Sequence, residues 1–216
     1  MKPVVVVLAA PSGGGKTTIA RALVARWPDR YGFSVSATTR PRRPGEQDGR
    51  DYLFLSKDEF RRRQGAGEFL EWAEYAGELY GTLEVEVDRL LRAGRHVLLD
   101  IEVQGARQVR TRYPAPGSRA VFILPPSTAE LLRRLKGRRT ESPGEMARRL
   151  QTAIRELRQA EEFDHVIVND DLDRAVTAVH QIVGAPEAAP RAGAGAETRR
   201  IKRLIAELTQ KTKEIS

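Results

Sequence analysis

Residues 10–18 of the sequence, APSGGGKTT, combine three glycines with a lysine and two threonines. Glycines in such a run let the backbone N–H groups converge on phosphate oxygens. Lys16 is placed to reach the β- and γ-phosphates of a nucleoside triphosphate, and Thr17 to ligate Mg²⁺. The triphosphate-binding residues predicted in this segment are Ser12, Gly13, Gly14, Gly15, Lys16, Thr17 and Thr18. The segment therefore predicts a phosphate-binding loop.

Ala10 departs from the strict phosphate-loop pattern G-x-x-x-x-G-K-[ST], which has glycine at its first position. Alanine is acceptable there if its φ is negative, because only a left-handed backbone makes the Cβ atom costly. The residue also lies where a strand would end and the loop would begin. The substitution is therefore compatible with phosphate binding.

The elements on either side of the loop are the ones that a phosphate loop requires. Val4 to Ala9 is a continuous aliphatic run, which is typical of a parallel strand buried on both faces. After the loop, Ile19, Leu23 and Trp27 recur with a helical period. The order strand, glycine loop, helix supports the phosphate-loop interpretation.

Further along the chain, short apolar runs alternate with helical patterns. Three more buried strands are predicted at Val97–Ile101, Ala120–Leu124 and Val166–Val168. Helices are predicted at Lys57–Gln64, Glu84–Arg92, Thr128–Leu135, Pro143–Glu161 and Asp173–Val183. This alternation predicts an α/β protein in which helices cover a parallel central sheet in three layers.

Two segments interrupt the alternation. Residues 34 to about 90 contain short strand-like pieces and a turn, and we interpret them as an insertion standing off the central sheet. Arg133 to Arg149 holds seven basic and two acidic residues and is predicted to form a helical hairpin. It has no aromatic residue for stacking on bases, so we expect no nucleic-acid partner. A solvated helical face remains the alternative for this hairpin.

Asp100 ends the apolar run HVLLD, at the carboxyl end of a predicted strand. Phosphate-loop enzymes place an acid that organises a metal or water at such a position. Asp100 is therefore a candidate to assist Mg²⁺ through a water molecule. A strand-end aspartate that caps a turn is the alternative.

Composition limits the remaining possibilities. The 216 residues carry a net charge of +8, which favours anionic ligands, and they contain no cysteine. No apolar run approaches the ~20 residues needed to span a bilayer. The short N-terminal apolar run suits a buried strand at least as well as a signal peptide. We expect a soluble, cytoplasmic protein with no membrane partner.

The C-terminal part differs in composition. Residues 185–196 form a linker of small residues, and residues 197–216 predict an amphipathic helix. Its apolar stripe is Ile201, Leu204, Ile205 and Leu208. The helix either docks on its own domain, is frayed at the surface or supports self-association, so the sequence leaves the monomer and the homo-oligomer both open.

Five segments together resemble the successive signatures of the guanylate kinase family. They are SATTRPRRPGEQDGRDY, FLEWAEYAGELYGT, LLDIEVQG, RLKGRRTES and VIVNDD. The resemblance covers about residues 3–183 and so defines a domain at 1–184. Bacterial members commonly have alanine at the position of Ala10. The resemblance implies reversible transfer of the ATP γ-phosphoryl group to GMP or dGMP, with Mg²⁺.

The resemblance also implies roles for individual residues. Arg40, Arg43, Tyr52 and Tyr80 match the residues that bind the GMP phosphate. The GMP-binding set is completed by Ser36, Glu71, Thr82, Asp100 and Glu102. A carboxylate such as Glu71 can accept both N1–H and N2–H₂ of guanine, whereas adenine presents an acceptor at N1. Glu102 replaces the aspartate of many members, so its role is less closely matched.

The arginine-rich hairpin resembles the lid of the family. The resemblance implies that Arg134, Arg138 and Arg149 act with Lys16 as the catalytic residues, on the transferring phosphoryl group. Asn169 matches a residue near the ATP adenine or ribose. Three alternatives remain: a related kinase with another acceptor such as a sugar phosphate, a non-catalytic peptide-binding scaffold domain, and, on charge alone, a nucleic-acid-binding protein.

Overall fold

The computed structural model describes residues 2–75, 77–136, 143–188, 192 and 195–215. Within them the strands are β1 (Val5–Ala9), β2 (Tyr31–Phe33), β3 (Ala37–Thr38), β4 (Leu53–Phe54), β5 (Phe69–Tyr75), β6 (Glu78–Leu83), β7 (His96–Asp100), β8 (Ser118–Leu124) and β9 (His165–Val168). The helices are α1 (Lys16–Arg26), α2 (Lys57–Gly65), α3 (Glu84–Arg92), α4 (Val103–Arg112), α5 (Thr128–Lys136), α6 (Pro143–Arg158), α7 (Leu172–Gly184) and α8 (Ala196–Ile215). Of these described helices, none has both the length and the apolar composition that crossing a bilayer requires.

The larger sheet contains five strands in the order β2-β7-β1-β8-β9 among the described residues. β2 pairs with β7, and β8 pairs with β9, in parallel. Every residue of β1 is buried, as expected for an aliphatic strand in an α/β protein. The predicted α/β class with a parallel central sheet is confirmed. The four predicted strands differ from the observed ones by at most two residues at either end.

Contacts between residues divide the chain into two compact units. Unit 1 is Met1–Val7 with Val24–Arg119, and unit 2 is Leu8–Leu23 with Ala120–Ser216. The phosphate loop belongs to unit 2. The residues that match the GMP site belong to unit 1.

Unit 1 contains a second sheet with the order β4-β3-β6-β5, inside the region that the sequence suggests is an insertion. β5 and β6 form an antiparallel hairpin in which Glu71 lies opposite Thr82. The register shifts between Phe69 and Glu71, which marks an irregularity in β5. The hairpin and α4 are not evident from the sequence pattern. A buried glutamate breaks the alternation in β5, and Gly105 lowers the helix propensity of α4.

Unit 2 contains the arginine-rich hairpin and the C-terminal helix. The helix predicted to run from Pro143 to Glu161 ends at Arg158 and is followed by a 3-10 turn. α8 packs against α6 and α5. Its side chains Ile201, Leu204 and Leu208 are buried, so its apolar face is docked within unit 2.

Candidate functional site

The phosphate loop adopts the backbone conformation that its glycines permit. Gly13 and Gly15 have φ values of 83° and 95°, in the left-handed region that favours glycine. Gly14 is needed for a different reason: a Cβ atom there would lie 2.5 Å from the Cβ of Ala10 and 2.9 Å from the carbonyl oxygen of Pro11. The buried methyl group of Ala10 is accommodated because Gly14 has no side chain.

Lys16 begins α1, directly after the last glycine of the loop. Its Nζ atom lies 3.5 Å from the carbonyl oxygen of Ala10. Thr17 and Thr18 follow in the first turn and are exposed. A positively charged side chain and the positive end of a helix dipole thus lie together at the loop, an arrangement that attracts phosphate.

Two distant residues hold the backbone of the loop. The side-chain amide of Asn169, which is 7% exposed, donates a hydrogen bond of 2.9 Å to the carbonyl oxygen of Gly14. The backbone N–H of Ser12 donates a 3.3 Å bond to Oε2 of the buried Glu156 on α6. In this structure Asn169 holds the backbone of the loop through its hydrogen bond to Gly14. The predicted position of Asn169 near the ATP adenine or ribose stays a prediction. No local sequence pattern singles out Glu156 as a partner of the loop, since Thr152, one turn earlier on the helix, is also polar.

Two of the three predicted lid arginines lie beside the loop in unit 2. On α5, Arg134 donates bonds of 3.5 Å to the carbonyl oxygen of Gly14 and 3.4 Å to that of Asn169. On α6, Arg149 donates a 3.4 Å bond to the hydroxyl of Ser12. Arg138 lies outside the described residues. The loop is therefore flanked by guanidinium groups, which suit phosphate oxygens in geometry and charge.

In unit 1, the segment between β3 and β4 organises Arg40. Its guanidinium donates a 2.8 Å hydrogen bond to Glu46, which also accepts a 2.8 Å bond from the backbone N–H of Arg43. The bond from Arg40 lowers the pKa of Glu46. The Arg43 side chain is exposed. Glu46 is absent from the predicted site residues because nothing in the sequence shows that it faces the arginine six positions earlier.

Tyr52 and Tyr80, predicted as hydroxyl donors, lie together with their ring centroids 6.2 Å apart. The Arg40 guanidinium lies over the Tyr52 ring, 5.4 Å from its centroid. Burial, followed by the negative charge of Asp100, raises the pKa of Tyr52 to about 12. Its hydroxyl therefore stays protonated at neutral pH and can donate to an anion. Asp100, half-buried at the end of β7, acts on this tyrosine within unit 1.

Glu71 forms the centre of a buried polar pair. It is 4% exposed, and its Oε1 accepts a 2.7 Å hydrogen bond from the hydroxyl of the fully buried Thr82. Burial raises the pKa of Glu71 to about 7. Hydrogen bonds from Thr82 oppose the rise, and the negative charge of Glu102 adds to it. Glu102 lies at the N-terminus of α4, and Ser36 lies immediately before β3.

The fold and the loop together define the class of this protein. A buried parallel strand, a glycine loop and the N-terminus of a helix form the phosphate-binding unit of P-loop α/β proteins. In the other unit, the buried carboxylate of Glu71 accepts a hydrogen bond from the buried hydroxyl of Thr82. The molecule is a P-loop nucleotide-binding protein.

Comparison with known proteins identifies the family within this class. The family model described as Guanylate kinase matches residues 1–186. The guanylate kinase of Symbiobacterium thermophilum is 50% identical over 187 residues, covering 87% of each chain. That of Nitratidesulfovibrio vulgaris is 53% identical over 173 residues, covering 80% of this chain and 82% of the relative. The chain belongs to the guanylate kinase family, whose members are nucleotide kinases.

A solved structure supports the same assignment. The crystal structure of guanylate kinase from Anaplasma phagocytophilum matches with a TM-score of 0.70 and 30% sequence identity. The match covers 94% of this chain and 96% of that one. The family expected from the five sequence signatures is confirmed.

Proposed function

We propose that this enzyme transfers the γ-phosphoryl group of ATP reversibly to GMP or dGMP, with Mg²⁺ as cofactor. The observation that carries the proposal is the buried pair of Glu71 and Thr82, in a chain whose phosphate loop retains Lys16. Relatives named guanylate kinase, about half of whose residues are identical, support it. The products are ADP and GDP, or dGDP from dGMP.

On the ATP side, backbone N–H groups of the loop and the N-terminus of α1 bind the phosphates. Lys16 neutralises charge on the β- and γ-phosphates. Asn169 and Glu156 keep the loop in the binding conformation through Gly14 and Ser12. This arrangement fixes the donor before the reaction, which reduces the entropy lost in reaching the transition state.

Mg²⁺ fits the donors that the loop offers. The ion is usually held by one or two protein oxygens together with phosphate oxygens and water. Thr17 lies exposed in the first turn of α1, and the part of the chain that the structure describes holds no group of three acidic, histidine or cysteine side chains that could bind a metal ion. We assign Thr17 as the ligand, while assistance by Asp100 through water stays a prediction. Bound Mg²⁺ would neutralise phosphate charge during the transfer.

On the acceptor side, Arg40 and Arg43 bind the monophosphate as charged donors. Glu46 holds Arg40, so the guanidinium needs little reorganisation when the phosphate arrives. Tyr52 and Tyr80 add neutral hydroxyl donors. This combination binds a phosphate of two negative charges without burying an uncompensated charge.

Glu71 reads the base. Its carboxylate accepts from N1–H and N2–H₂ of guanine, while adenine would direct the N1 lone pair at a carboxylate oxygen. Ser36, Thr82, Asp100 and Glu102 complete the proposed GMP site. An unpaired buried polar group costs about 1–3 kcal/mol, so the predicted discrimination between the two bases is large.

Arg134 and Arg149 stabilise the charge on the phosphoryl group as it is transferred. Transfer through a loose transition state requires alignment and cations rather than a protein nucleophile. Arg138 is assigned to this group on the family resemblance alone. The intact loop and these arginines argue against a non-catalytic scaffold domain, and the base-reading residues argue against a sugar-phosphate acceptor.

The test is a coupled assay with ATP and Mg²⁺ against GMP, dGMP, AMP, UMP and a sugar phosphate. We expect phosphorylation of GMP and dGMP, and rates lower by orders of magnitude for the others. Lys16→Ala should lose most of the turnover and keep the fold, measured by circular dichroism. Equal rates with AMP, or full activity of Lys16→Ala, would refute the proposal.

We further propose that residues 1–184 form the catalytic domain, that 185–196 link it to the tail, and that the protein acts in the cytoplasm as part of purine nucleotide metabolism. The family match over residues 1–186 and the expected substrates support these assignments. Activity of a fragment that ends at Gly184 tests the domain boundary. Fractionation of cells that express the protein tests whether it is located in the cytoplasm.

A further inference from the structure

Helix α4 packs against β5, and two of its residues contact the strand at Glu71 and at the neighbouring Trp72. β5 is an edge strand of the second sheet, with β6 on one side. Its register with β6 shifts between Phe69 and Glu71. The strand ladder alone therefore fixes the position of Glu71 less well than in a regular strand.

The first contact is made by Gln108. Its side-chain Oε1 accepts a 3.3 Å hydrogen bond from the backbone N–H of Trp72, and its Nε2 donates a 2.8 Å bond to the carbonyl oxygen of the same residue. The amide thus pairs with both backbone groups of one residue, as a neighbouring strand would. Trp72 follows Glu71 directly, so this pair fixes the backbone beside the carboxylate.

The second contact is made by Gly105, one turn earlier on the same face of α4. A Cβ atom at this position would clash with Oε2 of Glu71 and would lie 3.0 Å from its Cδ and 3.4 Å from its Cγ. The three heavy atoms nearest to that position all belong to Glu71. Thr82 holds the other carboxylate oxygen, Oε1. The carboxylate is therefore located from two sides.

The backbone does not itself require glycine at position 105. The residue lies inside α4, and its φ is outside the left-handed region. Alanine is the better helix former, so a glycine here costs helix stability. The close approach of Glu71 is the feature of the structure that accounts for it.

We infer that Gly105 and Gln108 are specificity-determining positioning residues, which hold the Glu71 carboxylate where it can accept both guanine donors. The inference rests on the proposed function. Gly105 provides space for Oε2, and Gln108 fixes the strand. Neither residue needs to touch the nucleotide.

The first test is Gly105→Ala, with Gly65→Ala as control. Gly65 ends α2, and a Cβ there would meet no atom within 4 Å. Gly105→Ala should displace the flexible carboxylate, weaken GMP binding at least about tenfold and lower the GMP-to-AMP ratio of kcat/KM. KM for ATP should stay within about twofold, since the phosphate loop is unchanged. Gly65→Ala should alter none of these values.

A double-mutant cycle separates positioning from a general structural effect. In a Glu71→Gln background, Gly105→Ala should cost much less GMP affinity than in the wild type, because its effect acts through the carboxylate. Isothermal titration with GMP measures each affinity without chemistry. Equal losses in both backgrounds would overturn the inference.

Gln108→Ala is the second variant, and it tests the positioning of Glu71 independently if Gly105→Ala fails to fold. It should raise KM for GMP by roughly three- to tenfold, as expected for two lost hydrogen bonds, and leave kcat and KM for ATP nearly unchanged. Gln181→Ala, at an exposed position on α7, is the control. Wild-type kinetics in Gln108→Ala would refute its role. A wild-type enzyme that does not phosphorylate GMP would instead refute the proposed function.

Discussion

Glu71 is a buried carboxylate whose burial lowers the stability of the fold and which we propose binds the guanine base. A buried carboxylate without compensating partners is unfavourable, and here it accepts hydrogen bonds from the side chain and the backbone of Thr82 and has an acidic neighbour in Glu102. Guanine would supply two further donors. The N1 acceptor of adenine would not match this carboxylate.

Replacing Glu71 by glutamine tests this role directly. Glu71→Gln keeps the size of the side chain but substitutes an NH₂ group, which faces the donors of guanine, for one acceptor oxygen. We expect kcat/KM for GMP to fall by roughly 10- to 100-fold and the preference over AMP to narrow. Glu74→Gln, exposed on the same strand, is the matched control. An unchanged preference in steady-state kinetics would place base reading elsewhere.

The raised pKa of Glu71 predicts a pH dependence of GMP binding. Because the pKa is about 7 and the carboxylate is the binding form, affinity should be constant above pH 8. It should fall about tenfold per unit well below pH 7. Titration calorimetry from pH 5.5 to 8.5 measures this slope. The Glu71→Gln variant reports the titration of the GMP phosphate alone, so identical slopes in both proteins would contradict the assignment.

At the scale of elements, the segment between β3 and β4 shows how a short loop arranges two cations. Glu46 accepts hydrogen bonds from the side chain of Arg40 and from the backbone N–H of Arg43, so one carboxylate links both arginines. The exposed Arg43 side chain remains available to a ligand. The loop thus contains an internal ion pair between Arg40 and Glu46.

Adjacent arginines in this loop allow a closely matched comparison. Arg43→Ala should lower kcat/KM for GMP at least about 100-fold, because a charged hydrogen bond to phosphate is lost. Arg42→Ala removes the same charge from an exposed position with no predicted role, and should change kcat/KM less than about threefold. Steady-state kinetics with varied GMP distinguish the two. Similar losses would indicate a general electrostatic effect instead.

Helix α4 also positions residues of the proposed site, although none of its charged side chains has a predicted role in the reaction. Its contribution is geometric, through Gly105 and Gln108 on one face. Helices that position residues of a neighbouring strand are difficult to recognise from sequence, since their own side chains bear no chemical signature. The specificity of the site thus depends on an element outside it.

At the scale of the whole molecule, the C-terminal helix extends beyond the family match yet is docked within unit 2. The match ends at residue 186, whereas α8 runs from Ala196 to Ile215. Arg200 donates a 2.8 Å hydrogen bond to the carbonyl oxygen of Pro126. Of the possibilities left open by the amphipathic pattern, the structure has the helix docked on its own chain.

This docking predicts a contribution to stability rather than to chemistry. Leu204→Ala should lower the free energy of unfolding by about 2–4 kcal/mol, because Leu204 is almost fully buried in α8. Lys202→Ala, at an exposed position of the same helix, is the control. Thermal unfolding gives the difference in Tm, and kcat/KM measured well below Tm should be retained. Equal Tm values for both variants would show that α8 does not stay docked in solution.

The parts of this protein that depend on contiguous residues can be predicted from the amino-acid sequence. The aliphatic run before the loop, the glycines and the Lys-Thr pair together specify β1, the phosphate loop and α1, because backbone conformation there follows from local chemistry. Four of the five described strands of the central sheet are likewise evident from unbroken apolar runs, whereas β2 is not. The five longer signatures, rather than the phosphate loop alone, indicate the family.

Contacts between residues that are distant in the sequence become evident in the tertiary structure alone. The bond from Ser12 to Glu156 joins positions 144 residues apart, and Gly105 lies against Glu71 across two elements. Neither contact leaves a local pattern, because the partners are selected by how helices and strands pack. The β5–β6 hairpin is not evident from the sequence for the same reason. Its buried glutamate lies opposite Thr82, and α4 leaves space for the carboxylate.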